Sequence, residues 1–179
     1  MQNVLPAWLD VELLKLVLGA ATPITVLIAG WMLKRREQLN AELIKKRICI
    51  YEEVAPLAND ILCFYGAVGR WRDLDPASII ECKRNIDRIM HVYRHFWSGE
   101  VWRAHKAFTA ACFVEYAGGA GRPARLKLDV AHMRRDMGDG WREEWLAQLA
   151  EGSHSITNVR RAYEAWMISF AHDIGVRDA

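Results

Sequence analysis

The sequence is short of the features that mark metal and disulfide proteins. Its four cysteines, Cys49, Cys63, Cys82 and Cys112, are scattered, with no CxxC pair. That excludes a disulfide frame and a cysteine zinc site, and it predicts buried free thiols in a reducing compartment. No HExxH, Cys/His cluster or paired-acid spacing occurs, so no metal or other cofactor is expected. No GxSxG elbow is present, and Gly118 to Pro123 (GGAGRP) lacks both the Lys-Ser/Thr ending and the preceding strand of a phosphate loop. Charge of one sign is also scarce. With 24 Lys and Arg against 22 Asp and Glu, the formal charge is +2, too small a bias to argue for nucleic acid by itself. Internal repeats, low-complexity tracts and period-two alternation are absent, which leaves little room for a β-rich fold.

Apolar and aromatic residues are plentiful. The chain is 52% hydrophobic and holds eight Trp, five Phe and five Tyr in 179 residues, enough for a packed core and far from a disordered composition. One domain is the simplest count once an N-terminal segment is set apart. That segment is the run Leu16 to Leu33, LVLGAATPITVLIAGWML, eighteen residues without a charge. As a helix it would extend roughly 27 Å, close to a hydrocarbon core. Trp8 and Trp31 fall at its interfacial levels, and Lys15 lies at one edge. Lys34-Arg35-Arg36 on one flank, against Asp10 and Glu12 on the other, predicts that the C-terminal side faces the cytoplasm. The reading is a short extracytoplasmic N-terminus over 1–12, a transmembrane helix over 13–33 and a cytoplasmic helical domain over 34–179, in a bacterial inner membrane crossed once. Ala21, Thr25 and Ala29 recur every four residues. Such a stripe lets membrane helices pack closely, although small residues are also simply common in these helices.

Beyond Lys34 the pattern is helical. Leu43, Ile50, Val54, Leu57, Ile61, Phe64, Tyr65 and Val68 share one face. Asp75-Pro76 signals an N-cap and first turn, and the helix it opens is predicted to reach Trp97. Ser98 caps the next helix, whose stripe Trp102, His105, Phe108, Cys112 and Tyr116 runs to a stop at Gly118-Gly119. His105, set among aromatic residues, reads as a hydrogen-bonded core histidine. A last helix is predicted from about Ser155 to Ile174. The fold class is all-α: an N-terminal transmembrane helix continuing into a cytoplasmic antiparallel helical bundle.

One constellation suggests chemistry. In ECKRNIDRIMHVYRHFW, Arg84, Arg88, His91 and His95 fall within about 60° of one another on a helix, opposite its apolar face. They include two overlapping Arg-x6-His spacings, Arg88 with His95 and, in the alternative register, Arg84 with His91. A histidine there could move a proton while an arginine holds a phosphate; equally, the stripe could be a solvated polar face.

This spacing resembles the R-x4-6-H signature of HEPN domains. The layout of one N-terminal membrane helix and a small helical domain resembles the accessory membrane proteins of type VI-B CRISPR systems and related single-pass antiphage effectors. The resemblance implies a divergent HEPN-like domain that assembles into a homo-oligomer in the lipid bilayer, with a defence-system protein or RNA as further partners. It implies a membrane-anchored effector of bacterial antiviral defence that forms a pore or perturbs membrane potential. The alternatives are a membrane-tethered HEPN-type ribonuclease, the one enzymatic reading, and a non-enzymatic adaptor or scaffold.

Overall fold

The structure is a computed structural model that describes residues 7–114, 124–150 and 155–176; along the first helix, side chains are described at 15, 19, 21 and from 23 onward. It is mostly helical, as the periodicity predicts. Helix α1 (Ala7–Gly66) is continuous through Pro23 and Pro56. The chain divides into two compact units, residues 1–43 and 44–179.

The first unit corrects the membrane assignment. Among the described residues, no helix is long and apolar enough to cross a membrane. The side chains at 16–18, 20 and 22 lie outside the described residues. The apolar stretch that is described, Pro23–Leu33, extends roughly 16 Å as a helix, about half of a hydrocarbon core. A single-pass inner-membrane protein with its N-terminus outside is therefore not supported by the described residues. Within the stretch Ile24, Val26, Leu27, Ile28, Trp31 and Leu33 are all exposed, and Arg35 stacks its guanidinium over the Trp31 ring.

The second unit begins with the last turns of α1, which bury Ile50, Val54, Ala58, Ile61, Phe64 and Tyr65, the face that the three-to-four-residue spacing predicts. Gly66 ends the helix and Ala67 takes a left-handed conformation, φ 51°. Val68 N then donates to Cys63 O at 3.1 Å, the backbone pattern of a left-handed helix stop that usually falls to glycine. Ala67→Gly should raise stability by about 0.5 kcal/mol. The roughly 1 kcal/mol of strain in a left-handed alanine is relieved, and glycine's extra unfolded-state freedom takes back part of it. A urea midpoint that falls instead of rising would refute this.

Helix α2 (Pro76–Val92) starts as the sequence predicts. Asp75 accepts from Ser78 N at 2.7 Å and Ser78 Oγ accepts from Asp75 N at 3.1 Å, a reciprocal cap with Pro76 at the first position. Its end is five residues earlier than predicted. Tyr93 leaves helical geometry and Arg94–Phe96 form a 3-10 turn. The cause is tertiary: Arg47 Nε of α1 donates to Phe96 O at 2.7 Å, and Trp97 is buried with its ring 4.6 Å from Phe170. A straight helix could not satisfy both, and burial overrides local propensity.

Ser98 caps α3 (Gly99–Cys112) by accepting from Val101 N, while Asp173 holds Ser98 N at 2.7 Å. This helix stops at Cys112 instead of continuing to the glycines; Tyr116 and Gly118 to Pro123 lie outside the described residues. A small sheet follows that the sequence pattern does not show. Strand β1 (Phe113–Val114) pairs antiparallel with β2 (Arg125–Lys127), Phe113 opposite Leu126, and β2 pairs parallel with β3 (Leu149–Ala150), Leu126 opposite Leu149. Strands of two and three residues are too short for alternation to register. Between them lie α4 (Val130–Met137) and a 3-10 helix, Glu143–Gln148. Helix α5 (Ile156–Ile174) closes the chain, with Gly175 left-handed at its end.

The core is aromatic. Trp166 and Phe170 of α5 pack on Phe108 of α3, with ring centroids 5.4 Å apart for Phe108 and Trp166 and 5.3 Å for Trp166 and Phe170. Of the four thiols only Cys112 is buried, which corrects the expectation for the rest: Cys63 and Cys82 are half-buried and Cys49 is exposed. Burial pushes the Cys112 thiol well above its ordinary range, so it is an inert core group. Tyr65 donates its hydroxyl to the Cys112 carbonyl.

Candidate functional site

The predicted basic stripe divides between two elements. Arg84, Arg88 and His91 are exposed on α2. His95 is exposed on the 3-10 turn beyond the helix end, so the Arg88 and His95 register is interrupted at Val92, whereas Arg84 and His91 stay on one helical face. Arg84 shares its charge with Glu81 at 3.4 Å. Ala21, Thr25 and Ala29 are exposed on α1.

Folding adds residues that sequence reasoning left aside. Trp102 of α3, half-buried, is where they meet. The His91 ring stands edge-on to the indole, centroids 5.0 Å apart at 83°. The Arg94 guanidinium lies 4.9 Å from the indole centroid and the Lys106 ammonium 5.5 Å. Cations favour the electron-rich face of an indole, and each such contact contributes roughly 0.5–1 kcal/mol near the surface. Lys106 sits one turn beyond Trp102, which the spacing could have shown; that Arg94 swings onto the same ring follows only from the turn that ends α2. Among the described residues, no carboxylate pairs with Arg88, His91 or Arg94. Three basic side chains, His91, Arg94 and Lys106, thus gather on Trp102, and Arg88 is exposed one turn before His91 on α2. The α2 C-terminus, with its partial negative charge, favours the Arg94 guanidinium there.

Beneath this face the charges are paired. Asp87 of α2 accepts from Lys83 and lies 3.2 Å from His105 Nε2. The His105 contact is poorly aligned for a hydrogen bond, and His105 Nδ1 has no partner. His105 is fully buried between Trp102 and Trp166, 5.5 and 5.1 Å away. Burial holds its pKa below the ordinary histidine value, against the opposing pull of Asp87, so the ring is neutral at pH 7. Burial alone would raise the Asp87 carboxyl, but His105 and Lys83 outweigh it and bring it to about 2. This pair links α3 to α2 beneath His91 and Trp102. Among the described residues, no group of three or more His, Cys, Asp or Glu is placed to hold a metal ion.

Compared with family models, curated proteins and solved structures, the chain matches none. Nothing in those comparisons links it to HEPN domains or to the type VI-B CRISPR accessory proteins.

Proposed function

We propose that the second unit is an RNA-binding helical domain whose α2 and α3 face grips the phosphate backbone. The observation that supports this is the convergence of His91, Arg94 and Lys106 on Trp102, with Arg88 exposed beside them and no carboxylate opposing Arg88, His91 or Arg94 among the described residues. Phosphate contacts position a nucleic acid and supply most of its sequence-independent affinity. Because Trp102 is already engaged by cations, the reading is backbone recognition and not base stacking. Membrane perturbation would need a membrane contact, and no helix among the described residues is long and apolar enough to cross a bilayer.

A labelled single-stranded RNA titrated in a salt series tests the reading. Arg88→Glu with Arg94→Glu should weaken binding by about tenfold or more and reduce the slope of log K against log salt by about two. Unchanged affinity and slope would refute it. A second reading, a HEPN-type ribonuclease, draws on Arg84 and His91 remaining exposed on one face of α2. It predicts strand scission that His91→Ala abolishes while binding stays within about twofold, an effect on proton transfer alone. Intact RNA after long incubation with the wild-type chain would leave binding as the whole function.

A further inference from the structure

Away from the cationic face, a cavity of about 350 Å³ opens between the end of α1, the turn after it, α4 and the start of α5. An apolar cavity of roughly 150 Å³ holds a single benzene ring, so this one has room for about two fused rings. Much of its wall is aromatic or aliphatic: Phe64 and Tyr65 of α1, Trp71 beyond it, Leu128 and Met133. Trp71 is half-buried and the others are buried.

The local sequence explains the arrangement. The left-handed turn at Ala67 reverses the chain after α1, so Trp71 returns to share a wall with Phe64 and Tyr65. The polar groups on the wall are already engaged. Tyr65 gives its hydroxyl to the Cys112 carbonyl. Asp129 caps α4 by accepting from His132 N at 3.0 Å. His132 and Asp136 are four residues apart on that helix and so stand on one face, with Nε2 to Oδ2 at 3.1 Å.

These walls discriminate by charge and by shape. An anion would find no lysine or arginine among the described lining residues. A cation would find Asp136 already facing His132 and Asp129 serving as a helix cap. It would gain little at Trp71, where the Arg72 guanidinium already lies 5.4 Å from the ring centroid. Either ion would give up hydration with no unopposed counter-charge in return, which is costly. A neutral ring gives up little, buries apolar area and makes the edge-on or offset contacts that aromatic walls favour. We propose that this cavity is a binding site for a neutral, planar aromatic molecule of about two fused rings. Recognition turns on Trp71. No residue of its 3-10 turn is buried, so the indole can be changed without disturbing the core.

The test titrates the full chain with probes of matched size, followed in backbone amide NMR spectra: 2-naphthylmethanol, its saturated decalin counterpart, 2-naphthylmethylammonium and 2-naphthoate. The naphthyl alcohol should bind saturably and shift the Phe64, His132 and Met133 signals. It should bind about tenfold tighter than either ion and a few-fold tighter than the saturated alcohol. Trp71→Ala should weaken it by about tenfold, whereas Trp71→Phe, which keeps a ring, should stay within about threefold of wild type. Because Trp71 lies outside the core, both variants should keep the wild-type spectrum elsewhere when free. An ion that binds as tightly as the naphthyl alcohol, equal binding of the saturated alcohol, shifts confined to the exposed apolar residues 24–33, or a Trp71→Ala variant that binds like wild type would each overturn the proposal. None of these readouts depends on RNA.

Discussion

Replacing Trp166 by alanine should lower the unfolding free energy by about 4 kcal/mol, the largest single-residue effect expected in this chain. Trp166 is fully buried, and it contacts the rings of His105, Phe108 and Phe170 at 5.1, 5.4 and 5.3 Å. Truncating such a side chain loses its transfer energy and leaves a cavity that stiff aromatic neighbours fill poorly, for about 3–5 kcal/mol. Against a typical total of about 5–15 kcal/mol, that removes a third or more of the stability. Trp166→Phe separates packing from polarity. The indole Nε1 is buried without a partner, so deleting it relieves an unsatisfied donor while some volume is lost, and the net cost should be near 1 kcal/mol. Urea unfolding followed by circular dichroism, with an unchanged m value, measures both. A Trp166→Ala loss below about 2 kcal/mol would mean that the α3 and α5 core collapses around the gap. The consequence reaches the cationic face: His105, Trp102 and Lys106 share α3, so loosening its seat on α5 should weaken the proposed RNA binding as well.

The helices could be read because their signals are local. Asp75-Pro76, Ser98 and the stripe from Ile156 to Ile174 each declare an element within a few residues, and the structure places α2, α3 and α5 there. The early end of α2 and the three short strands could not be read. Both depend on partners far along the chain: Arg47 for the Phe96 carbonyl, and Leu126 and Leu149 for the sheet. The site divides in the same way. A helical wheel finds Arg84, Arg88 and His91, and it also carries His95 onto that face by assuming a helix that stops at Val92. Arg94 carries no signal of its own in the sequence; only the turn brings it over Trp102. His105 was legible as a core histidine from its aromatic neighbours, but its partner Asp87 lies on another helix, and no spacing rule links them. The cavity has the least local signature, since its walls come from α1, α4 and α5.

Asp87→Asn should cost about 2 kcal/mol at pH 7 and change the shape of the acid-unfolding profile. In the folded chain burial works against the Asp87 charge, but His105 and Lys83 more than offset it and hold the carboxyl at about 2, below its ordinary 3.8. A depressed carboxylate contributes stability above its unfolded pKa and loses it as pH falls to the folded value. The loss therefore falls between about pH 4 and pH 2, and each tenfold difference in proton affinity between the folded and unfolded chain corresponds to about 1.4 kcal/mol. His105 acts in an earlier window. Burial lowers its pKa from 6.5, so the unfolded chain takes up that proton first, and stability begins to fall just below pH 6.5. Wild type should thus weaken in two steps on acidification. In Asp87→Asn the step below pH 4 should flatten, while the step below pH 6.5 should persist and deepen, because the carboxylate that favoured a charged His105 is gone. The cost at neutral pH has a named source. Lys83 is only 12% exposed, and without Asp87 its ammonium retains just the Phe113 ring, 5.7 Å away. Stranding a nearly buried charge is what makes one-sided removal of an ion pair expensive. Lys83→Met combined with Asp87→Asn should therefore recover part of the loss, and a double variant as unstable as the sum of the two singles would show that the pair is not coupled.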